Sequence, residues 1–383
     1  MKKSDPIVIF ANPVYQGEGL ASTVELAKEM ARHQDVLFIN FPMTYTQLIK
    51  GQERGRLKRA LGFAKRLYRP NKDLDKLWVL EMPLMLPSNK IRSKKVYNQV
   101  LSRNNRTYKQ HLLGAMQRLN WSSTIAVNAF NPLYKEAFLS FSALKHVYYC
   151  YDNIEAAYWL AEHGVPLEQE LVKHSDEIYV SSQGLFAKFS GSHKPLTWIP
   201  NGMNPKDFTR NQAFPEHQLH AAYIGALDDR LDYPLLHTLL EANPALKMTL
   251  IGPVKCAAAQ ELTAMERVTY LGVKRPDEVG EHLQDCTIGL VPFVKNDFTS
   301  FIYPLKINEY LSLGMAVLTT DFADLSVFKD WVRPVSSAQE AVMELARIEA
   351  EELHEKAVTA RITFAQSQSW EARADKMRMQ LNG

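Results

Sequence analysis

Lys306 and Glu309 stand three residues apart in the run Tyr303-Pro-Leu-Lys-Ile-Asn-Glu-Tyr-Leu-Ser-Leu-Gly314. At that spacing an ammonium and a carboxylate fall on one face of a helix. Pro304 suits a first helical turn and Gly314 a left-handed C-terminal position, so the run predicts a helix. The apolar residues Ala316–Thr320 that follow read as a buried strand. A helix N-terminus gathers unsatisfied N–H groups and partial positive charge, a setting for phosphate. Lys306 would add a full charge there, and Glu309 could grip paired hydroxyls. Phosphate and diol together are the chemistry of a nucleotide. The same residues also describe an ordinary αβ unit with a surface Lys–Glu pair.

Such groups need a scaffold, and the alternation of patterns predicts one. Short apolar runs occur at Ile7–Asn12, Val36–Asn40, Leu77–Glu81, Thr124–Phe130, Val147–Asp152, Glu177–Ser182 and Thr197–Pro200. Amphipathic stretches such as Leu20–Arg32 and Lys94–Leu119 separate them. The pattern restarts with Ala221–Ala226, Met248–Ile251, Val268–Leu271, Thr287–Pro292 and Ala316–Thr320. Apolar strands alternating with amphipathic helices describe an α/β fold of parallel sheets covered on both faces. Two successive series predict two Rossmann-like, doubly wound domains meeting at a cleft of strand C-terminal ends. The boundary falls in the aperiodic, Asn- and Pro-rich stretch Asn201–Pro215. The expected division is 1–202, 203–369 and a final helix in 370–383 packing back on the first domain.

A length of 383 residues exceeds one typical domain, and 46% hydrophobic with 23% charged residues is ordinary globular composition. A net charge of +3 argues against nucleic acid as a partner. Cys150, Cys256 and Cys286 show no C-x-x-C spacing, so neither disulfides nor a cysteine zinc site is expected, which suits a reducing cytoplasm. The N-terminus passes directly into the strand at Ile7, leaving no room for a signal peptide, and no run of 18 apolar residues is present.

One segment departs from this frame. Lys50–Lys72 carries nine Lys or Arg against the single acid Glu53, with Leu57, Leu61, Ala64, Leu67 and Tyr68 at helical spacing. It predicts a basic amphipathic helix facing an anionic membrane surface, or one whose apolar stripe packs on its own domain.

The order of motifs in the second half resembles the GT-B glycosyltransferases. Ile199-Pro-Asn-Gly-Met-Asn204 with Phe208, Tyr223-Ile-Gly-Ala-Leu-Asp-Asp-Arg230, Leu250-Ile-Gly-Pro253 and Tyr303–Thr320 follow the family's I-P-N-G-V-D…F, first donor-domain strand, second strand and P-x-K-x-x-E-Y-L donor motif. In the first half the resemblance rests on strand order and on Tyr148-Tyr-Cys-Tyr-Asp-Asn153. It implies a nucleotide-sugar donor, most commonly a UDP-sugar. Lys306 and Arg230 would meet the departing diphosphate, helped by backbone N–H groups around Ser300, Phe301 and Tyr303, and Glu309 would bind the ribose. Arg230 also follows Asp228 and Asp229, which suit a local ion pair. The polar-aromatic loop Phe293–Phe301 could stack a base or sugar, or merely fill space.

Large retaining members of family four carry two glutamates eight residues apart, and where the first, which contacts the donor sugar, would stand, this chain has Phe301. The single-lysine form P-L-K-x-x-E-Y is similar to enzymes of polysaccharide assembly, including the inverting glucuronosyltransferase of xanthan synthesis. Those are membrane-associated and use a first-domain aspartate as general base. The resemblance carries that role to Asp152, at the end of Val147–Tyr151. Asp152 equally suits a helix N-cap, with Glu155 three residues on. Glu155 and His163 are reserve candidates.

Gly17 and Gly19 form a G-x-G after the first strand, but the third glycine and the acid of a dinucleotide fingerprint are missing. These glycines suit close approach of an acceptor or of donor phosphates. No Walker A, H-E-x-x-H or G-x-S-x-G sequence occurs, and Asp73-Leu-Asp75 lacks a strand-end setting, so no metal is expected. The leading expectation is a glycosyltransferase of surface polysaccharide or glycolipid synthesis, peripheral on the inner face of the cell membrane, with a lipid-linked or glycan acceptor. The alternatives are a catalytically inactive GT-B scaffold subunit and an NAD-dependent oxidoreductase.

Overall fold

The structure, a computed structural model, describes residues 4–17, 21–49, 54–89, 91–157, 160, 163–215 and 218–383. Cα proximity divides the chain into two compact units, Met1–Pro200 with Arg373–Gly383, and Asn201–Ala372.

The first unit is built on strands β1 (Ile7–Ala11), β2 (Val36–Ile39), β3 (Leu67–Tyr68), β4 (Leu77–Leu80), β5 (Ile125–Ala129), β6 (Lys145–Cys150), β7 (Glu177–Val180) and β8 (Leu196–Trp198). They run in the order β3-β4-β2-β1-β5-β6-β7-β8. Every pairing is parallel except β3 on β4. β1 and β5 are buried at every position, as expected of central strands with helices on both faces. Successive connections leave β1 in opposite directions, so the sheet order reverses between β1 and β5.

The second unit contains β9 (His220–Ile224), β10 (Lys247–Ile251), β11 (Val268–Tyr270), β12 (Ile288–Val291), β13 (Ala316–Thr320) and β14 (Val332–Val335). Their order is β11-β10-β9-β12-β13-β14, all parallel, with the reversal between β9 and β12. The expectation of two doubly wound α/β sheets is met. Two strands escaped the sequence reading. β14 is short, contains Pro334 and lies at a sheet edge, where the missing N–H is tolerated.

The other, β3, lies inside the segment expected to be one basic helix, and here the expectation is corrected. A helix spans only Arg54–Ala60, and the chain turns at Gly62 with φ +87°, a left-handed conformation that ends it. The cause is tertiary. The Arg56 guanidinium reaches into the unit and pairs with the buried Glu81 at 2.8 Å. Arg59 lies over the Tyr68 ring and Arg69 over Trp78, with cation-to-centroid distances of 4.0 and 4.5 Å. Leu57 packs on Met43, Ala60 and Leu84. Lys50 and Glu53 lie outside the described residues.

The last helix, Trp370–Asn382, starts in the second unit, where the Trp370 N–H bonds to the Met203 carbonyl at 3.0 Å. From Arg373 onward it belongs to the first unit, where Lys376 lies over the Trp198 ring and Asn382 bonds to Gln34.

Candidate functional site

In the second unit the groups singled out from sequence gather at the reversal between β9 and β12, the crevice where doubly wound sheets take ligands. The two strands are in register only at Ile288↔Ala221 and Gly289↔Ala222. Beyond that point the Tyr310 hydroxyl stands between them, accepting from the Ile224 N–H at 2.9 Å and donating to the Leu290 carbonyl at 3.3 Å. Tyr310 follows Glu309 in the Leu305–Ser312 helix, which ends before Gly314 at φ +73°. The helix is thus fastened beneath the splayed strands, and its first turn faces the gap.

Lys306 reaches into that gap. Its Nζ lies 5.8 Å from the Tyr223 ring centroid in β9 and 5.7 Å from that of Phe293 just past β12. Burial lowers its pKa, opposed by Glu309, while Arg230 lowers it further. Glu309 is 8% exposed, and burial raises its carboxyl to about 7 against the pull of Lys306. Among the described residues neither the Lys306 ammonium nor the Glu309 carboxylate has a hydrogen-bond or ion-pair partner. Lys306 is half-buried and Glu309 buried, yet the polar atoms of neither are sealed from solvent, so a ligand carrying anionic oxygens and hydroxyls could reach both. Gly225, which sequence reading did not single out, makes room for Lys306. A Cβ there would stand 2.6 Å from Lys306 Cε, and its φ of +134° suits glycine.

The other expected donor-site residues are placed less simply. Arg230 lies 5.8 Å over the Phe293 ring, sharing it with Lys306. It also makes a two-pronged ion pair with Asp228, both contacts at 2.8 Å, so the local pairing is present together with the approach to Lys306. Although burial opposes it, those bonds hold the Asp228 carboxyl below its ordinary value. The expectation of free N–H donors around Ser300 needs correction. The Ser300 N–H bonds to Asn296 O, Ile302 N–H to Thr299 O, and Ser300 Oγ to Asp297 O, because this stretch folds into its own 3-10 turn. At the helix start, Leu305 N–H bonds to Tyr303 O and Ile307 N–H to Pro304 O. The Ser300, Ile302, Leu305 and Ile307 N–H groups are therefore engaged within the chain. Tyr303 is a core residue, its ring against Phe328 and its hydroxyl receiving Asn308 Nδ2 at 3.0 Å. Phe301 is half-buried beside it.

In the first unit the candidates lie at the C-terminal strand ends on either side of the β1/β5 reversal. Asp152 is exposed just beyond β6, and its Oδ1 accepts from the Asn153 N–H at 2.8 Å. The N-cap alternative for Asp152 is corrected. Asn153 caps, and the element is only the 3-10 turn Ile154–Ala156. The loop is anchored from below by Lys188, whose Nζ bonds to Asn153 Oδ1 at 3.0 Å and to the buried Glu168 at 3.2 Å. Glu168 also receives the Tyr148 hydroxyl at 2.7 Å. Of the reserve candidates, Glu155 lies 3.8 Å from Lys188, and His163 stacks on Tyr97 at 3.7 Å.

The neighbouring strand ends carry features that sequence reading missed. Phe130, directly after β5, has φ +54°, an uncommon conformation for an aromatic residue, and its ring meets that of Tyr151. The Asn128 side chain braces this turn, donating to Asn131 O and accepting from the Asn131 N–H, and Asn131 Nδ2 reaches Ala11 O at the end of β1. The N-A-F-N-P sequence was the available signal. Gly17 follows a turn closed by its N–H on Val14 O, and Tyr15 N–H bonds to Asn40 at the end of β2. Gly19 lies outside the described residues. Among the described residues no group of three or more His, Cys, Asp or Glu is placed to hold a metal, and no helix is long and apolar enough to cross a membrane.

No family model matches the chain. One curated relative, "Putative teichuronic acid biosynthesis glycosyltransferase TuaH" of Bacillus subtilis (strain 168), is 22% identical over 173 residues, 42% of this chain and 44% of that protein. The chain therefore matches less than half of that relative's length. Solved structures align over nearly the whole chain. Sucrose-phosphate synthase from Thermosynechococcus elongatus gives a TM-score of 0.69 at 13% identity, covering 98% of both chains. The E. coli trehalose-6-phosphate structure bound with UDP-2-fluoro glucose gives 0.68 at 12% identity and 99% of both. Anabaena HepE in complex with UDP and glucose gives 0.62 at 10% identity, covering 98% of this chain and 99% of the other. The chain has the fold of the GT-B glycosyltransferases.

Proposed function

We propose that this chain is a glycosyltransferase that moves a sugar from a nucleotide-sugar donor to a glycan or lipid-linked acceptor in surface polysaccharide or glycolipid synthesis. The observation that carries the reading is the unpartnered pair Lys306 and Glu309 at the β9/β12 reversal. Uridine diphosphate is the donor's leaving group in this reading, supported by the UDP complex of HepE and by the UDP-2-fluoro glucose complex among the similar structures. The polysaccharide context is supported by the teichuronic acid relative.

In the proposed step the acceptor hydroxyl gives its proton to the Asp152 carboxylate as its oxygen bonds to the anomeric carbon. The bond from that carbon to the diphosphate oxygen breaks with inversion, and the nucleoside diphosphate leaves as an anion. Lys306 and Arg230 meet the growing charge on the diphosphate, while Glu309 accepts hydrogen bonds from the ribose hydroxyls. The second unit thus handles the donor and the first the acceptor. The protein would work at the inner face of the membrane, held there by the basic stretch 50–72, without a metal.

The test is a thermal-shift comparison of UDP, GDP, ADP and NAD on the pure protein, with Lys306→Ala in parallel. A ligand that binds only the native state raises its stability. A shift with one nucleoside diphosphate that disappears in the variant supports the reading. A shift with NAD alone, or with no nucleotide, overturns it.

A further inference from the structure

The segment that replaces the expected basic helix forms a cavity of about 370 Å³ against the Lys94–Leu119 helix. Its charged lining is Lys65, Arg66 and Arg118, with His111 beside them, and no Asp or Glu contributes. Arg66 is held by the Ala60 carbonyl at 3.0 Å and lies 3.4 Å from His111 Nε2, while its Nε is buried with no hydrogen-bond partner. Lys65 and Arg118 are exposed and have no carboxylate partner among the described residues. By contrast, the nearby Arg56 is already neutralised by Glu81. Cations with no acid among them, one of them held by the Ala60 carbonyl, are suited to phosphate oxygens.

The segment that lines this cavity also carries exposed apolar side chains. Phe63 lies between two lining residues, Gly62 and Ala64, and is 82% exposed, the most exposed of the chain's large apolar side chains described. Leu61 beside it is 42% exposed. A bare aromatic side chain on the segment that lines a cationic cavity matches the interface of an anionic bilayer, with phosphate at one depth and acyl chain just below. A soluble phosphate compound would use the cations but leave the ring in water.

We propose that this cavity seats the phosphate of an anionic membrane lipid, with Phe63 entering the acyl boundary. Lys65, Arg66 and Arg118 receive the phosphate oxygens. The site deepens the membrane half of the proposed function and does not depend on the donor chemistry.

The experiment is co-sedimentation of the full chain with vesicles of phosphatidylcholine alone or mixed with phosphatidylglycerol, with and without inorganic phosphate. The wild type is compared with Phe63→Ser and with the double variant Lys65→Glu/Arg118→Glu, and the UDP thermal shift is measured on all three. Expected is binding to the phosphatidylglycerol vesicles only, weakened roughly tenfold or more in both variants, with the nucleotide response unchanged. Wild-type binding that ignores phosphatidylglycerol, or variants that bind as wild type does, would overturn the site. So would a protein that binds inorganic phosphate through Lys65 and Arg118 but no vesicle, which would make it a soluble-anion site. Loss of the UDP shift in the wild type with vesicle binding intact would count against the donor reading alone.

Discussion

A Cβ on Gly225 would stand 2.6 Å from the Cε of Lys306, so the lysine occupies space that only glycine leaves open. The two residues are far apart in sequence and meet because β9 and the Leu305–Ser312 helix border the same gap. Gly225→Ala should displace the ammonium and strain a backbone at φ +134°. The expected result is at least a tenfold loss in nucleotide affinity by calorimetry, with a stability cost of about 1–3 kcal/mol.

Lys306 is charged where burial disfavours charge, and its lowered pKa records the cost. A group with a depressed folded pKa contributes stability above its unfolded value and loses it as pH falls through the folded one. At neutral pH the charge is therefore a burden. Lys306→Met should keep or raise the melting temperature while removing the response to nucleoside diphosphate. A marked fall in melting temperature would instead make Lys306 a structural residue.

Glu309 has the opposite shift, raised to about 7. Its contribution to stability is full below the unfolded carboxylate range and is lost as pH rises through about 7. Glu309→Gln should therefore stabilise the protein more at pH 8 than at pH 5. Binding runs the other way, since only the ionised carboxylate accepts from both ribose hydroxyls. Affinity for a nucleotide sugar, whose phosphates do not titrate in this range, should rise between about pH 6 and 8. In Glu309→Gln that rise should vanish.

Asp152→Asn should leave nucleotide binding intact and lower turnover by about 10²–10⁴-fold, the usual worth of a positioned base. Lys188 bonds to Asn153, the residue after Asp152, and so bears on the base by holding its loop. Lys188→Met should lower kcat less than Asp152→Asn does and leave its pH profile unchanged. Near-normal turnover in Asp152→Asn would remove the base assignment.

The Tyr310 hydroxyl joins β9 to β12 where their own pairing has stopped. Tyr310→Phe leaves the Ile224 N–H and the Leu290 carbonyl without this partner. A loss of about 1–3 kcal/mol in denaturant unfolding is expected. Amide exchange at Ile224 should quicken with it.

Much of this arrangement was legible because parallel strands buried on both faces leave long apolar runs, and their restart after Asn201 announced a second sheet. The Pro304–Gly314 punctuation marked the helix that carries Lys306 and Glu309. What failed depended on partners distant in sequence. Leu57 to Tyr68 keeps helical spacing, yet Glu81, Tyr68 and Trp78 draw Arg56, Arg59 and Arg69 into a bent path. Asp152 and Asn153 are equivalent as caps on paper, and only the backbone direction after β6 chose Asn153. Gly225 and Tyr310 look ordinary in sequence because their importance is the space between two strands.

The first unit is completed by Arg373–Gly383, and this bears on how the chain is made. Met377 and Leu381 are buried in that unit, and Asn382 bonds to Gln34 across a separation of 348 residues. A ribosome releases all eight strands of the first sheet long before these partners exist. Contacts of such high order close slowly, so the nascent first unit must wait with a bare apolar seat while the second folds. A fragment stopping at Pro200 would keep that seat open permanently and call for chaperone cover.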